Sequence, residues 1–205
     1  STRKESSAAS DVYKRQMFFY SVTFGGFSGL ASSLTIYFNG QYGLSPVTAG
    51  YFTAACVFAG SAVRPLGGRL ADRIGGIKTL SMMYMLAASF MLIASFGLSS
   101  AMAAVAIFVL AMLSLGVGNG AVFQLVPQRF RKEIGVMTGL VGMAGGIGGF
   151  YLASSLGYSK QLTGSYQGGL IVFAALAIVA LLGLSAVKNR WRTTWGSAAM
   201  TNAKI

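Results

Sequence analysis

The chain has 205 residues, of which 54% are apolar and only 10% are charged, with 16 Lys and Arg, 4 Asp and Glu and no His. Disordered chains are poor in apolar residues and rich in charge, so disorder is excluded. The apolar residues form long blocks, which argues against a soluble enzyme and for membrane-spanning helices. The net charge of +12 could suit a nucleic-acid partner, but the basic residues stand between apolar blocks, where membrane topology places them. The single cysteine, Cys56, excludes an internal disulfide and a cysteine metal cluster.

The first sixteen residues differ from the rest of the chain. Residues 1–16 are polar and carry half of the acidic residues, and an apolar block follows abruptly. The stretch DVYKRQ, residues 11–16, resembles the in-frame translation of a transposon end used in sequencing-library preparation. We therefore predict that residues 1–16 are a non-native leader, which would make the chain a fragment. The alternative is a native basic cytoplasmic leader.

The apolar blocks predict six transmembrane helices, each long enough for a hydrocarbon core of about 30 Å. The predicted spans are residues 17–38, 49–70, 77–98, 103–126, 134–156 and 167–187. The short connections between them predict antiparallel neighbours. Ser45 and Pro46 are a plausible N-cap and first turn for the second span. The fold class is therefore all-α and integral to the membrane.

The loop charges set the orientation of these spans. One side carries only Lys160, whereas the other carries ten basic residues: Arg69, Arg73, Lys78, Arg129, Arg131, Lys132, Lys188, Arg190, Arg192 and Lys204. The positive-inside rule places the second group in the cytoplasm. Both ends of the chain, including a basic tail at residues 188–205, are therefore predicted to be cytoplasmic.

Arg64 is the most informative residue, because it lies within the second span. It precedes Asp72, at the predicted cytoplasmic end, by eight residues, or about 12 Å of helix. An ionisable residue at such depth is a functional-site hypothesis by default. A bound planar oxyanion would match the guanidinium fork. The alternatives are that Arg64 extends toward the cytoplasmic surface, or that it pairs with an acid outside this chain.

Other polar and small residues inside the spans are weaker candidates. Tyr20 and Phe24 are one helical turn apart and could wall a small flat ligand, although without a family resemblance the better explanation is ordinary lipid-facing or packing aromatics. Asn119, in the fourth span, needs a hydrogen-bond partner on another helix or on a ligand. Five glycines at helical spacing share one face of the fifth span: Gly135, Gly139, Gly142, Gly146 and Gly149. Such a face permits close packing, which is the favoured interpretation, and could also permit helices to slide.

Three motifs carry a resemblance to a known family. RPLGGRLADRIGG (residues 64–76) resembles the cytoplasmic loop signature of the major facilitator superfamily. GVGNGAVFQLVP (residues 116–127) and GLVGMAGGIGGF (residues 139–150) look like the fourth and fifth helices of the C-terminal half of nitrate/nitrite porters. The resemblance covers essentially all of the membrane part.

The resemblance implies a twelve-helix fold of two six-helix bundles, with residues 17–187 forming the C-terminal bundle. It implies that nitrate or nitrite is bound by the residues that match the family's motifs: Arg64, Tyr20, Phe24, Asn119, Gly142, Gly145 and Gly146. It also implies a cytoplasmic gate at Gly68, Asp72 and Arg73. The family's partner arginine belongs to an N-terminal six-helix half that this sequence does not contain.

The sequence therefore predicts an inner-membrane transporter for nitrate and/or nitrite that works by alternating access, in contact with membrane lipid and without a cofactor. No His and no mid-span carboxylate occur in this half, which favours anion exchange, but the other half could carry protons. The alternatives are a major facilitator for another small anion, a membrane scaffold, or an integral-membrane enzyme. The enzyme is the weakest of these, because the spans offer no evident acid, base or metal site.

Overall fold

The computed structural model describes residues 2–129 and 134–196, and this part of the chain contains helices and no strand. The helices, in chain order, are α1 (Thr2–Tyr42), α2 (Pro46–Ala62), α3 (Arg64–Ile74), α4 (Gly76–Ser95), α5 (Ala101–Arg129), α6 (Ile134–Thr163) and α7 (Gln167–Gly196). They pack side by side as one bundle, in which α1 lies along α6 and also contacts α2, α5 and α7. The all-α prediction is confirmed.

Among the residues that the structure describes, five stretches are long and apolar enough to cross a membrane, so the chain is a multi-pass membrane protein. They are Pro46–Ile74, Gly76–Ser95, Ala101–Val122, Thr138–Thr163 and Gln167–Ala186, and they match the second to sixth predicted spans to within a few residues at most ends. The first predicted span, residues 17–38, is helical throughout but is not among these stretches. Its hydroxyl side chains lower its apolarity, and many of its apolar residues face neighbouring helices rather than lipid.

The second predicted span is two helices rather than one. The helix breaks at Val63, between α2 and α3, and Pro65 stands in the first turn of α3. Proline has no N–H and its ring clashes with the carbonyl four residues earlier, so a continuous helix cannot pass through it unbent. The predicted cap at the start of this span is confirmed, since the Ser45 side chain accepts a hydrogen bond from the Thr48 N–H at 3.2 Å.

The turn between α3 and α4 depends on glycine. Gly75 ends α3 with a φ of 99°, a conformation that residues with a β-carbon rarely adopt. The sharp turn lets α4 begin at Gly76 and pack against α3.

The domain boundaries predicted from sequence stay predictions. α1 begins at Thr2, so residues 2–16 are helical, which does not decide whether they are native. At the other end α7 continues to Gly196, and residues 197–205 of the predicted tail lie outside the described residues. The basic residues Arg131 and Lys132 also lie outside them.

Candidate functional site

The break between α2 and α3 determines where Arg64 lies. As the first residue of α3, it directs its side chain toward α1, with the guanidinium carbon 4.4 Å from the centre of the Phe27 ring and 5.4 Å from that of Phe24. Its Nε is buried and has no hydrogen-bond partner among the described residues. Guanidinium planes stack well on aromatic faces. The side chain is therefore held by rings while a hydrogen-bond donor stays unused.

Tyr20 and Phe24 form a stacked pair on α1. Their ring centres are 5.2 Å apart and their planes differ by 7°. Tyr20 is only 3% exposed, which rules out a lipid-facing role for it, and it lies within electrostatic range of Arg64. The structure thus brings together the cation and the two rings that the sequence singled out.

Gly145 is the fifth-span glycine that touches this pair. A β-carbon built at Gly145 would lie 2.6 Å from Cδ1 of Phe24 and 2.8 Å from Cε1 of Tyr20. Real β-carbons do not approach other atoms so closely, so a side chain here would displace the rings. The lack of a side chain at Gly145 therefore permits α6 to lie directly against the rings.

Gly142 and Gly146 are placed differently. A β-carbon at either position would meet no atom within 4 Å, and Gly146 is exposed. They share the helix with Gly145 but do not contact the ring pair. Their predicted part in binding stays a prediction. The open space beside them could admit a ligand.

Asn119 is a buried residue of α5. It is 1% exposed, and neither its Nδ2 nor its Oδ1 has a hydrogen-bond partner among the described residues. The glycines on either side of it pack closely against other helices: a β-carbon at Gly118 would lie 3.0 Å from Cγ2 of Thr23 on α1, and one at Gly120 would meet the Arg64 carbonyl. A buried carboxamide left unpaired is destabilising by about 1–3 kcal/mol, so a ligand or water is the expected partner.

Phe27 is the site residue that sequence reasoning missed. It is buried, and its ring is the closer of the two that face Arg64. The signal was present, because Phe27 lies seven residues after Tyr20 and three after Phe24, on the same face of a helix. Without the fold, nothing in the sequence distinguished it from the other phenylalanines.

The predicted gate residues follow Arg64 along α3. Gly68 is half-buried and comes near α5, where a β-carbon would lie 3.9 Å from the Gly120 carbonyl oxygen. Asp72 and Arg73 are exposed near the end of the helix, where the Arg73 charge is favourable to the helix dipole. About 12 Å of helix separates Asp72 from Arg64, so the predicted gate residues lie away from Arg64 on the same helix.

The arrangement suits a small flat anion better than a metal ion. Among the residues that the structure describes, no group of three His, Cys, Asp or Glu side chains could hold a metal. The unpartnered buried groups are the Arg64 Nε and the Asn119 carboxamide, and Arg64 lies beside a ring of the stacked pair. Such a set can neutralise an anion's charge, donate hydrogen bonds to its oxygens and cover its flat face.

The chain is similar in sequence to known transport proteins. It is 36% identical over 163 residues to a "nitrite extrusion protein" of Bacillus subtilis, and the aligned region covers 80% of this chain and 40% of that protein. It is 33% identical over 169 residues to a "probable nitrate transporter NarT" of Staphylococcus haemolyticus, covering 80% of this chain and 42% of the relative. The NarT of Staphylococcus carnosus is 36% identical over 161 residues, covering 75% of this chain and 40% of the relative.

The chain therefore spans about 40% of the length of the curated relatives that it matches. A family model described as Major Facilitator Superfamily matches residues 2–153, well over half of the chain. The matched region includes α1 to α5 and the part of α6 that carries Gly145. This chain belongs to the Major Facilitator Superfamily.

Proposed function

We propose that this chain is the C-terminal half of a transporter that moves nitrate and/or nitrite across the cell's inner membrane by alternating access. The observation that carries the proposal is the guanidinium of Arg64, held over aromatic rings inside the bundle with an unused donor. The names of the relatives support the choice of anion.

Each residue of the proposed site has a separate task. Arg64 supplies the charge and a planar fork of donors that matches the oxygens of a planar anion. Tyr20 supplies a hydroxyl donor, and Phe24 covers the flat face of the anion. Asn119 supplies a carboxamide donor, and Gly145 keeps α6 from obstructing the rings. Gly142 and Gly146 would line the open approach to the rings.

The proposal includes a second half. We infer an N-terminal six-helix partner with its own arginine, since one cation and one carboxamide enclose an anion on one side only. Closing the two halves over the anion would remove it from water on one face of the membrane at a time. Gly68, Asp72 and Arg73 would form the cytoplasmic gate, with the chain's C-terminus in the cytoplasm and its outer surface in lipid.

The proposal leaves two modes of coupling open, anion exchange and proton symport. The described spans of this half contain no carboxylate or histidine at the depth of Arg64, which favours exchange. A transporter for a different small anion is the second candidate. A panel of planar anions and non-planar ones separates the two, because the fork and the stacked ring favour planarity.

The test is substitution of Arg64 in the full-length transporter that contains these residues, purified and reconstituted in vesicles. Arg64→Lys keeps the charge but loses the planar fork, so nitrite and nitrate uptake should weaken by about tenfold to a hundredfold in KM. Arg64→Ala should abolish uptake. Arg69→Lys is the matched control, because Arg69 lies on the same helix with an exposed side chain. Wild-type KM in Arg64→Lys would refute the proposed site.

A further inference from the structure

Backbone of α5 lies directly on backbone of α2 and α3 at the helix break. A β-carbon at Gly120 would meet the carbonyl oxygen of Arg64, and would lie 2.9 Å from the Gly68 nitrogen and 3.1 Å from the Gly67 α-carbon. From the other side, a β-carbon at Gly67 would meet the carbonyl oxygen of Val117. We call this contact the α3–α5 seam, defined by Gly67 and Gly68 on α3 and by Val117 and Gly120 on α5.

The helix break makes this seam important for Arg64. Pro65 has no N–H, so the helical hydrogen bond that would tie it to α2 is absent. The next two N–H groups, of Leu66 and Gly67, both bond to the Val63 carbonyl, at 3.0 and 3.2 Å. The start of α3 is therefore tied only weakly to α2. Its backbone contact with α5 is therefore an important constraint on its position, beside its packing against α4.

We propose that Gly120 is a positioning residue: by lacking a side chain, it allows the Arg64 backbone to contact α5 and so sets where the guanidinium meets Phe24 and Phe27. The inference rests on the proposed function of Arg64 as the anion's cation. A methyl group at Gly120 would push the first turn of α3 away from α5 by roughly 1 Å, because close-packed backbone transmits such strain. A binding group that is displaced by that distance binds its ligand much more weakly.

The experiment compares two alanine substitutions on α5 in the full-length transporter. Gly116→Ala is the matched control, because a β-carbon there also meets a backbone carbonyl, that of Gly60, and approaches the Val63 side chain to 2.9 Å, but it does not touch the Arg64 backbone. We expect Gly120→Ala to raise the Kd for nitrite, measured on the purified protein, by about tenfold. Gly116→Ala should change it by less than about threefold, even if both variants unfold at a lower temperature.

A double-mutant cycle shows whether Gly120 acts through Arg64. In an Arg64→Lys background, Gly120→Ala should change the Kd by less than about twofold, because the fork that it misplaces is already gone. Equal effects of Gly120→Ala in both backgrounds would overturn the inference. They would leave the proposed function intact, since that function is refuted only if Arg64→Lys itself has no effect.

If Gly120→Ala folds poorly, a second variant tests the same contact. Gly67→Ala presses on the same seam from α3 and should produce the same rise in Kd. If neither variant accumulates while Gly116→Ala does, the inference is wrong, because the seam is then required for folding rather than for placing Arg64.

Discussion

The contact between Gly145 and the ring pair gives the sharpest prediction for binding, tested by Gly145→Ala. Alanine in place of glycine in a helix interior stabilises by about 0.5–1 kcal/mol. Here the new methyl group would lie 2.6 Å from Phe24 and 2.8 Å from Tyr20, and overpacking of this kind is destabilising by about 1–3 kcal/mol. The net change expected is a loss of up to about 2 kcal/mol in the free energy of unfolding. The displaced rings should also weaken nitrate binding about threefold to tenfold.

Gly139→Ala is the control that separates the contact from helix propensity. Gly139 lies on α6 as well, but a β-carbon there would meet no atom within 4 Å. Its substitution should therefore stabilise by about 0.5–1 kcal/mol and leave the Kd for nitrate unchanged. The assay is thermal unfolding of the purified transporter in detergent, with and without nitrate. The reasoning would be refuted if the two variants changed stability and binding alike.

Two further substitutions test individual hydrogen-bonding groups. Tyr84→Phe removes a fully buried hydroxyl that donates to the Phe19 carbonyl at 2.8 Å, so it should lower the free energy of unfolding by about 1 kcal/mol. Tyr51→Phe, at an exposed position, should change it by less than about 0.5 kcal/mol. Asn119→Leu replaces an unpaired buried amide with an apolar side chain of similar size, so the ligand-free protein should become more stable by about 1–3 kcal/mol. The same variant should lose the stabilisation that nitrate gives the wild type, and a retained nitrate effect would contradict a binding role for Asn119.

Much of the fold followed from the sequence because hydrophobic length is a strong signal. Five predicted spans correspond to apolar stretches of the structure, and the Ser45 cap was readable from its position before Pro46. The grouping of Arg64 with Tyr20 and Phe24 was accessible for a similar reason. An arginine inside an apolar block is a functional-site hypothesis by default, and two aromatic residues one turn apart share a face of the helix.

The remaining features depend on contacts between helices, which periodicity does not encode. Pro65 was visible in the sequence, but the break at Val63 was not predicted, because proline bends some helices and ends others. The glycines 142, 145 and 146 looked equivalent along α6. Only the position of α1 against α6 shows that Gly145 meets the rings while the other two face open space.

The proposed site would also account for the glycines that lie near polar groups whose burial without a hydrogen-bond partner is destabilising. Arg64 Nε and the Asn119 amide are the buried side-chain atoms without hydrogen-bond partners in the part of the chain that the structure describes. Gly120 allows α3 to lie directly against α5, and Gly145 allows α6 to lie directly against the rings of α1. In the proposed site, an anion bound beside Arg64 would gain hydrogen bonds that no protein group has to give up.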